Sequence, residues 1–189
     1  MNVQTTTGGL SMLRILAFLL LVPATQAAAS TVVAMTLEQM SERAETIFLG
    51  RVTGTRADWN AERTRIYTYV TLEVDRYLKG GSDSKVTTVR LLGGRVGPYL
   101  AMVPGTPQFD MGEEVLLFCA GAGARIPTVL GMSLGKFTIV ADASGEKIVK
   151  RDISGLMLAN HRTDARKPGD PVTRYRLSEV ESRIQGAVR

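Results

Sequence analysis

The stretch that most limits how this chain can fold is residues 65–78, where two faces alternate without a break. Ile66, Thr68, Val70, Leu72 and Val74 fall on one face, and Tyr67, Tyr69, Thr71, Glu73 and Asp75 on the other. A repeat of two is the signature of a strand with one buried and one wet face, since a helix would scatter these positions around its circumference. The glycine-bearing residues 79–83 close the strand as a turn. Residues 85–92, rich in β-branched side chains, then supply a neighbour that folds back antiparallel.

The rest of the chain extends this reading. Thr36 followed by Gln39 is a capping box, and Leu37, Met40 and Ala44 then share one face of a short helix. Ile47-Phe48-Leu49-Gly50-Arg51-Val52 reads as a mostly buried strand, ended by the polar residues 53–65. Residues 93–112 are rich in glycine and proline, with Pro104-Gly105 as a type II turn and 99–103 as a short strand. Residues 113–118 resume a buried strand, 121–125 turn, and 128–131 form another short strand. Residues 135–140 and 147–149 flank Asp142-Ala143-Ser144-Gly145 as a further hairpin. After Asp152 the β pattern stops, and residues 160–172 read as a polar linker. Ser178 with Glu181 then makes a second capping box, opening a C-terminal helix with Val180 and Ile184 as its apolar stripe. Strands without interleaved helices predict a mainly β fold: an OB-like antiparallel β-barrel of roughly five to seven strands with short N- and C-terminal helices.

The N-terminal residues predict a destination. Arg14, the apolar run 15–22, Pro23 and the alanines 27–29 have the order of a secretory signal peptide over residues 1–29, with Met12 as an alternative start. The run is shorter than the roughly 18 to 20 apolar residues a membrane-spanning helix needs, so no transmembrane anchor is expected after cleavage. The expected organisation is therefore a leader, a β-barrel domain over 30–152, and a linker with C-terminal helix over 153–189. The expected location is exported, either periplasmic or extracellular. Residues 30–161 carry 15 basic and 14 acidic side chains, whereas 162–189 carry 7 and 4, so the net charge of +5 reflects a basic tail on a near-neutral body. A nucleic-acid footprint would be a dense basic stripe, and none is expected here. The single cysteine, Cys119, follows four apolar residues and reads as a small buried hydrophobe.

Taken in order, Ile47-Phe48-Leu49-Gly50-Arg51-Val52, Tyr67-Thr68-Tyr69-Val70-Thr71-Leu72, Tyr77-Leu78-Lys79-Gly80, Gly93-Gly94-Arg95-Val96-Gly97, Phe109 with Gly112-Glu113-Glu114-Val115-Leu116-Leu117-Phe118, and Gly135-Lys136-Phe137 resemble a group of exported bacterial proteins of uncharacterised function, over roughly residues 36–148. More distantly, a strand ending in Gly50-Arg51-Val52, a second ending in Leu78-Lys79-Gly80 and a third after it are similar to the opening of netrin-like domains, including the tissue inhibitors of metalloproteinases. That resemblance implies an OB-type five-stranded barrel, an architecture that hosts unrelated ligands. Those inhibitors chelate the protease zinc through a disulfide-fixed N-terminal cysteine. The mature start expected here, near Ser30-Thr31-Val32, has none, so the resemblance extends to shape and not to that chemistry.

Catalytic patterns are weak. Gly131-Met132-Ser133-Leu134-Gly135 matches G-x-S-x-G, and Asp142 or Asp152 followed by His161 reproduces a hydrolase order. The motif needs a helix after the serine, yet residues 136–140 are strand-like, so a β-turn is expected and a hydrolase using Ser133 is the alternative. One histidine and one cysteine cannot assemble a zinc or copper site, so no metal or other cofactor is expected. The expectation is a non-enzymatic domain that binds a protein or peptide. Tyr67 and Tyr69 on the wet strand face, and Arg95, Tyr99 and Phe109 in the irregular section, are the candidate contacts. A structural or accessory role in the cell envelope is the further alternative.

Overall fold

The computed structural model describes residues 30–81, 83–121, 126–160, 166–168 and 173–188, so the expected leader, the 121–125 turn beyond Gly121, and His161 lie outside the described residues. The described residues are mainly β with two α-helices. β1 (Ser30–Val33) leads to helix α1 (Leu37–Arg43) and the two long strands β2 (Thr46–Trp59) and β3 (Ile66–Lys79). β4 (Val86–Leu92), the small strands β5 (Gly94–Val96) and β6 (Tyr99–Ala101), β7 (Glu114–Ala120) and β8 (Thr128–Val129) follow. A 3-10 turn at Met132–Gly135 then enters β9 (Lys136–Ala141) and β10 (Lys147–Arg151). The chain continues through β11 (Leu156–Ala159), β12 (Arg166–Pro168), β13 (Thr173–Arg176) and helix α2 (Leu177–Val188).

The main sheet runs β13-β10-β9-β7-β2-β3-β4, every pairing antiparallel, with β8 also on β7. The path is open from β13 to β4. At the β4 edge, the Arg90 amide donates across to the Pro127 carbonyl, 2.8 Å away, just before β8. The expected alternation in β3 holds: Ile66, Val70, Leu72 and Val74 are buried, while Glu73 and Asp75 are exposed.

Two apolar clusters occupy the two sides of the sheet. Ile47 and Leu49 of β2, with Leu116 and Phe118 of β7, join Phe137, Ile139 and Val149 beneath the helices. Phe48 and Val52, with Val115, Leu117 and Cys119, turn to the other side and meet Val70, Leu72, Val89, Leu91 and Val129. This is why residues 47–49 and 115–119 read as unbroken apolar runs: strands covered on both faces have no wet side. Each fully buried Leu, Ile or Phe contributes about 1.5–3 kcal/mol through removal from water.

The capping box of α1 is present: Thr36 Oγ1 accepts from the Gln39 amide at 3.2 Å, and Gln39 Oε1 accepts from the Thr36 amide at 2.9 Å. Four expectations are corrected. β2 does not end at Val52 but continues through the polar residues to Trp59, because its backbone pairs with β3 as far as Trp59↔Ile66. Residues 94–96 form a strand that composition concealed, paired with 99–101 as a hairpin. The β pattern also persists past Asp152. β11 lies parallel to β1, β12 pairs with β11, and β13 adds to β10. Ser178 is not a cap, because α2 begins at Leu177; Glu181 pairs instead with Arg76, and Arg183 Nη2 reaches Glu38 of α1 at 2.7 Å. Leu177, Val180 and Ile184 form the buried stripe. Among the described residues no helix is long and apolar enough to cross a membrane.

Candidate functional site

The glycine-rich section lies along the far end of the β2–β3 ribbon. At Gly94, φ is 135°, and an added Cβ would stand 2.5 Å from Thr68 Oγ1 and 2.9 Å from the Ala57 Cβ. Only a residue without a side chain lets the β5–β6 hairpin rest on the ribbon. Val103 to Thr106 then turn as expected, with Pro104 and Gly105 central, Gly105 at φ 79°, and the Thr106 amide donating to Val103 O at 3.1 Å. The loop that follows is tied at several points. Ser30 Oγ donates to Pro104 O at 2.6 Å, the Ser133 amide to Gly105 O at 3.0 Å, and Thr106 Oγ1 to Leu92 O at 3.3 Å.

Between the end of β4, the hairpin and this loop is a cleft of about 770 Å³. Its walls carry Leu92, Leu100 and Met102, which are 45%, 52% and 81% exposed, together with Phe109. Beside it a smaller pocket of about 320 Å³ includes Arg65, Tyr67 and Arg90. The two share Leu91, Leu92, Thr106 and Pro107.

The five residues expected from sequence are not gathered in one place. Phe109 lines the large cleft, half-buried, with Lys136 Nζ 4.6 Å from its ring centre. Tyr67 lines the smaller pocket. Tyr69 lies on the same outer face of β3 but outside both cavities. Each tyrosine is capped by an arginine: Arg90 over Tyr67 at 4.7 Å and Arg56 over Tyr69 at 4.9 Å. Tyr99 is 60% exposed and meets Trp59 edge to face at 5.4 Å, on the hairpin rather than in the cleft. Arg95 is exposed opposite Leu100 in the same hairpin and lines neither cavity.

A largely buried ion pair holds the far side of the loop. Lys136 Nζ lies 2.7 and 2.9 Å from the Glu113 carboxylate oxygens, with both side chains nearly covered. Thr138 Oγ1 donates to the same carboxylate, and Lys136 also donates to Gln108 O. Residues 108–113 are thereby fastened to β9 beneath Phe109.

Ser133 lies in the 3-10 turn, buried, and β9 rather than a helix follows it. The G-x-S-x-G match is thus a strand–turn–strand corner. Ser133 borders a polar hollow with Lys136 and Asp152, but Lys136 is committed to Glu113, and Asp152 Oδ1 accepts from the Ser154 amide at 2.9 Å. Burial pushes the Cys119 thiol up to about 12, so it stays protonated and behaves as a core hydrophobe. Among the described residues no group of three or more histidine, cysteine or carboxylate side chains is placed to hold a metal ion.

Sequence reasoning missed Arg65, Arg90 and Met132 as pocket residues. The available signal was Arg90 in the otherwise uncharged run 86–92, opposite Tyr69 in the β3–β4 register. No protein-family model and no curated protein sequence matches the chain.

Proposed function

We propose that this chain is an exported, non-enzymatic binding module that takes an extended segment of a peptide or protein into the cleft between β4 and the residue 100–109 loop. The single observation that carries the reading is the cleft itself. Large apolar side chains stand exposed along a concavity of about 770 Å³ whose loop wall is fastened at both ends. Exposed apolar surface costs free energy unless something covers it, and a clustered, concave patch marks a recognition site rather than scattered surface. Near-neutral charge over residues 30–161 favours a peptide over a nucleic acid.

The OB-like, netrin-like barrel is the architecture we infer beneath this site. Its support is the Arg90 to Pro127 bond, the pairing of β8 with β7, and one apolar cluster fed by β2, β3, β4, β7 and β8. Export to the periplasm or beyond the cell rests on residues 1–29 alone.

The test is retention of a pool of randomised octapeptides on the immobilised chain. Retention is expected, and it should fall at least tenfold with Met102→Asp, a change at an exposed position that leaves the melting temperature unchanged. No retention, or retention indifferent to Met102→Asp, defeats the reading.

A further inference from the structure

We infer that the pocket at the end of the cleft receives the free carboxyl terminus of the bound peptide, with an apolar last side chain; this rests on the peptide-binding reading above. The pocket has two chemistries side by side. Part of its lining is apolar, supplied by Leu91, Leu92, Pro107, Val129 and Met132. Another part is cationic, with Arg65 and Arg90 beside Tyr67.

Neither arginine is paired with a carboxylate among the described residues. The nearby Asp58, which faces Tyr67 across the ribbon, is engaged with Arg56 at 3.5 Å and with its neighbouring Trp59 amide at 2.8 Å. Arg90 Nε is buried without a hydrogen-bond partner. The Arg90 charge has no carboxylate to balance it among the described residues, and an anionic group brought into the pocket that the side chain lines would balance it. Stacking over Tyr67 at 4.7 Å also fixes the guanidinium before any ligand arrives. A planar guanidinium matches a carboxylate with two parallel hydrogen bonds, which an amide cannot accept with equal strength.

Size and continuity select the source of that carboxylate. About 320 Å³ lies at the small end of the roughly 300–1,000 Å³ of ligand pockets, room for one large side chain and its terminal carboxylate. The pocket shares Leu91, Leu92, Thr106 and Pro107 with the large cleft, so a chain lying in the cleft runs into it without leaving the surface.

The experiment compares two pools of octapeptides with randomised bodies and a last residue of Leu, Phe or Met, one pool ending in a free carboxylate and the other in an amide. The immobilised chain is expected to retain the acid pool about tenfold more than the amide pool. Arg90→Gln should abolish that preference, and Arg65→Gln, at an exposed position that leaves the fold intact, should reduce it. Equal retention of both pools overturns the terminus assignment while leaving peptide binding standing, whereas retention of neither removes both. A preference that survives in both arginine variants, or dodecanoate binding more tightly than the acid peptides, also overturns the assignment.

Discussion

The two ends of the β2–β3 ribbon are built on opposite principles. Near the start of β2, residues 47–49 send alternate side chains into two separate cores, and β7 does the same beside them. Toward Trp59 and Ile66 the outer face of the ribbon carries arginines stacked on tyrosines, and on the opposite face the β5–β6 hairpin rests through Gly94 against Thr68 and Ala57. The first end is doubly buried and carries stability. The second leaves apolar side chains in the open beside a cleft, the arrangement recognition requires.

That contrast can be broken most forcefully at Phe118. It is fully buried and meets Phe137 at 5.8 Å, so Phe118→Ala should cost about 3–5 kcal/mol in a denaturant titration. Met102→Asp at the other end should leave the midpoint in place. Equal losses at both positions would erase the distinction between the two ends.

Lys136→Met probes the seam between them. It leaves the nearly buried Glu113 carboxylate without its cation and should cost about 2–4 kcal/mol, below the 3–5 kcal/mol of a fully buried broken pair because some solvent reaches the site. It should also weaken peptide retention, since residues 108–113 lose their tether. Unchanged retention with lowered stability would separate the seam from the site.

The smallest effect is electrostatic and belongs to the doubly buried end. Lys147 donates to Glu114 at 2.8 Å and Arg51 pairs with the same carboxylate, so the Glu114 carboxyl titrates below its ordinary value, against the opposing effect of burial. A carboxyl with a depressed folded pKa contributes stability above its unfolded value and loses it as pH falls through the folded one. Stability should therefore decline below about pH 4. Lys147→Met should shrink the Glu114 share of that decline, at a cost of less than about 1 kcal/mol at neutral pH because the pair is partly exposed. An identical acid profile in the variant would remove this contribution.

The fold was legible where local rules and tertiary packing agree. Residues 66–74 alternate because one face is buried, and Thr36 with Gln39 caps α1 through contacts within one turn. Residues 53–59 and 156–159 escaped notice because their strand conformation comes from a partner: β3 in the first case and β1, far away in the chain, in the second. Of the candidate contacts, Phe109 and Tyr67 line cavities. Tyr99 and Arg95 do not, because the hairpin that carries them sets Tyr99 against Trp59.

Side-chain order alone determined that this chain is mainly β, that residues 66–79 and 86–92 pair as neighbours, and that Cys119 belongs to the interior, because alternation, turn residues and hydrophobicity act over a few positions. Only the tertiary structure decided that Arg90 stacks on Tyr67, that its Nε is left without an acceptor, and that Leu92, Pro107 and Met132 meet at one pocket. Those residues come from four separate segments, namely β3, β4, the residue 103–109 loop and the 3-10 turn. Their proximity is set by the register of β3 on β4 and by the ties that hold the residue 103–109 loop, and neither leaves a local pattern to read.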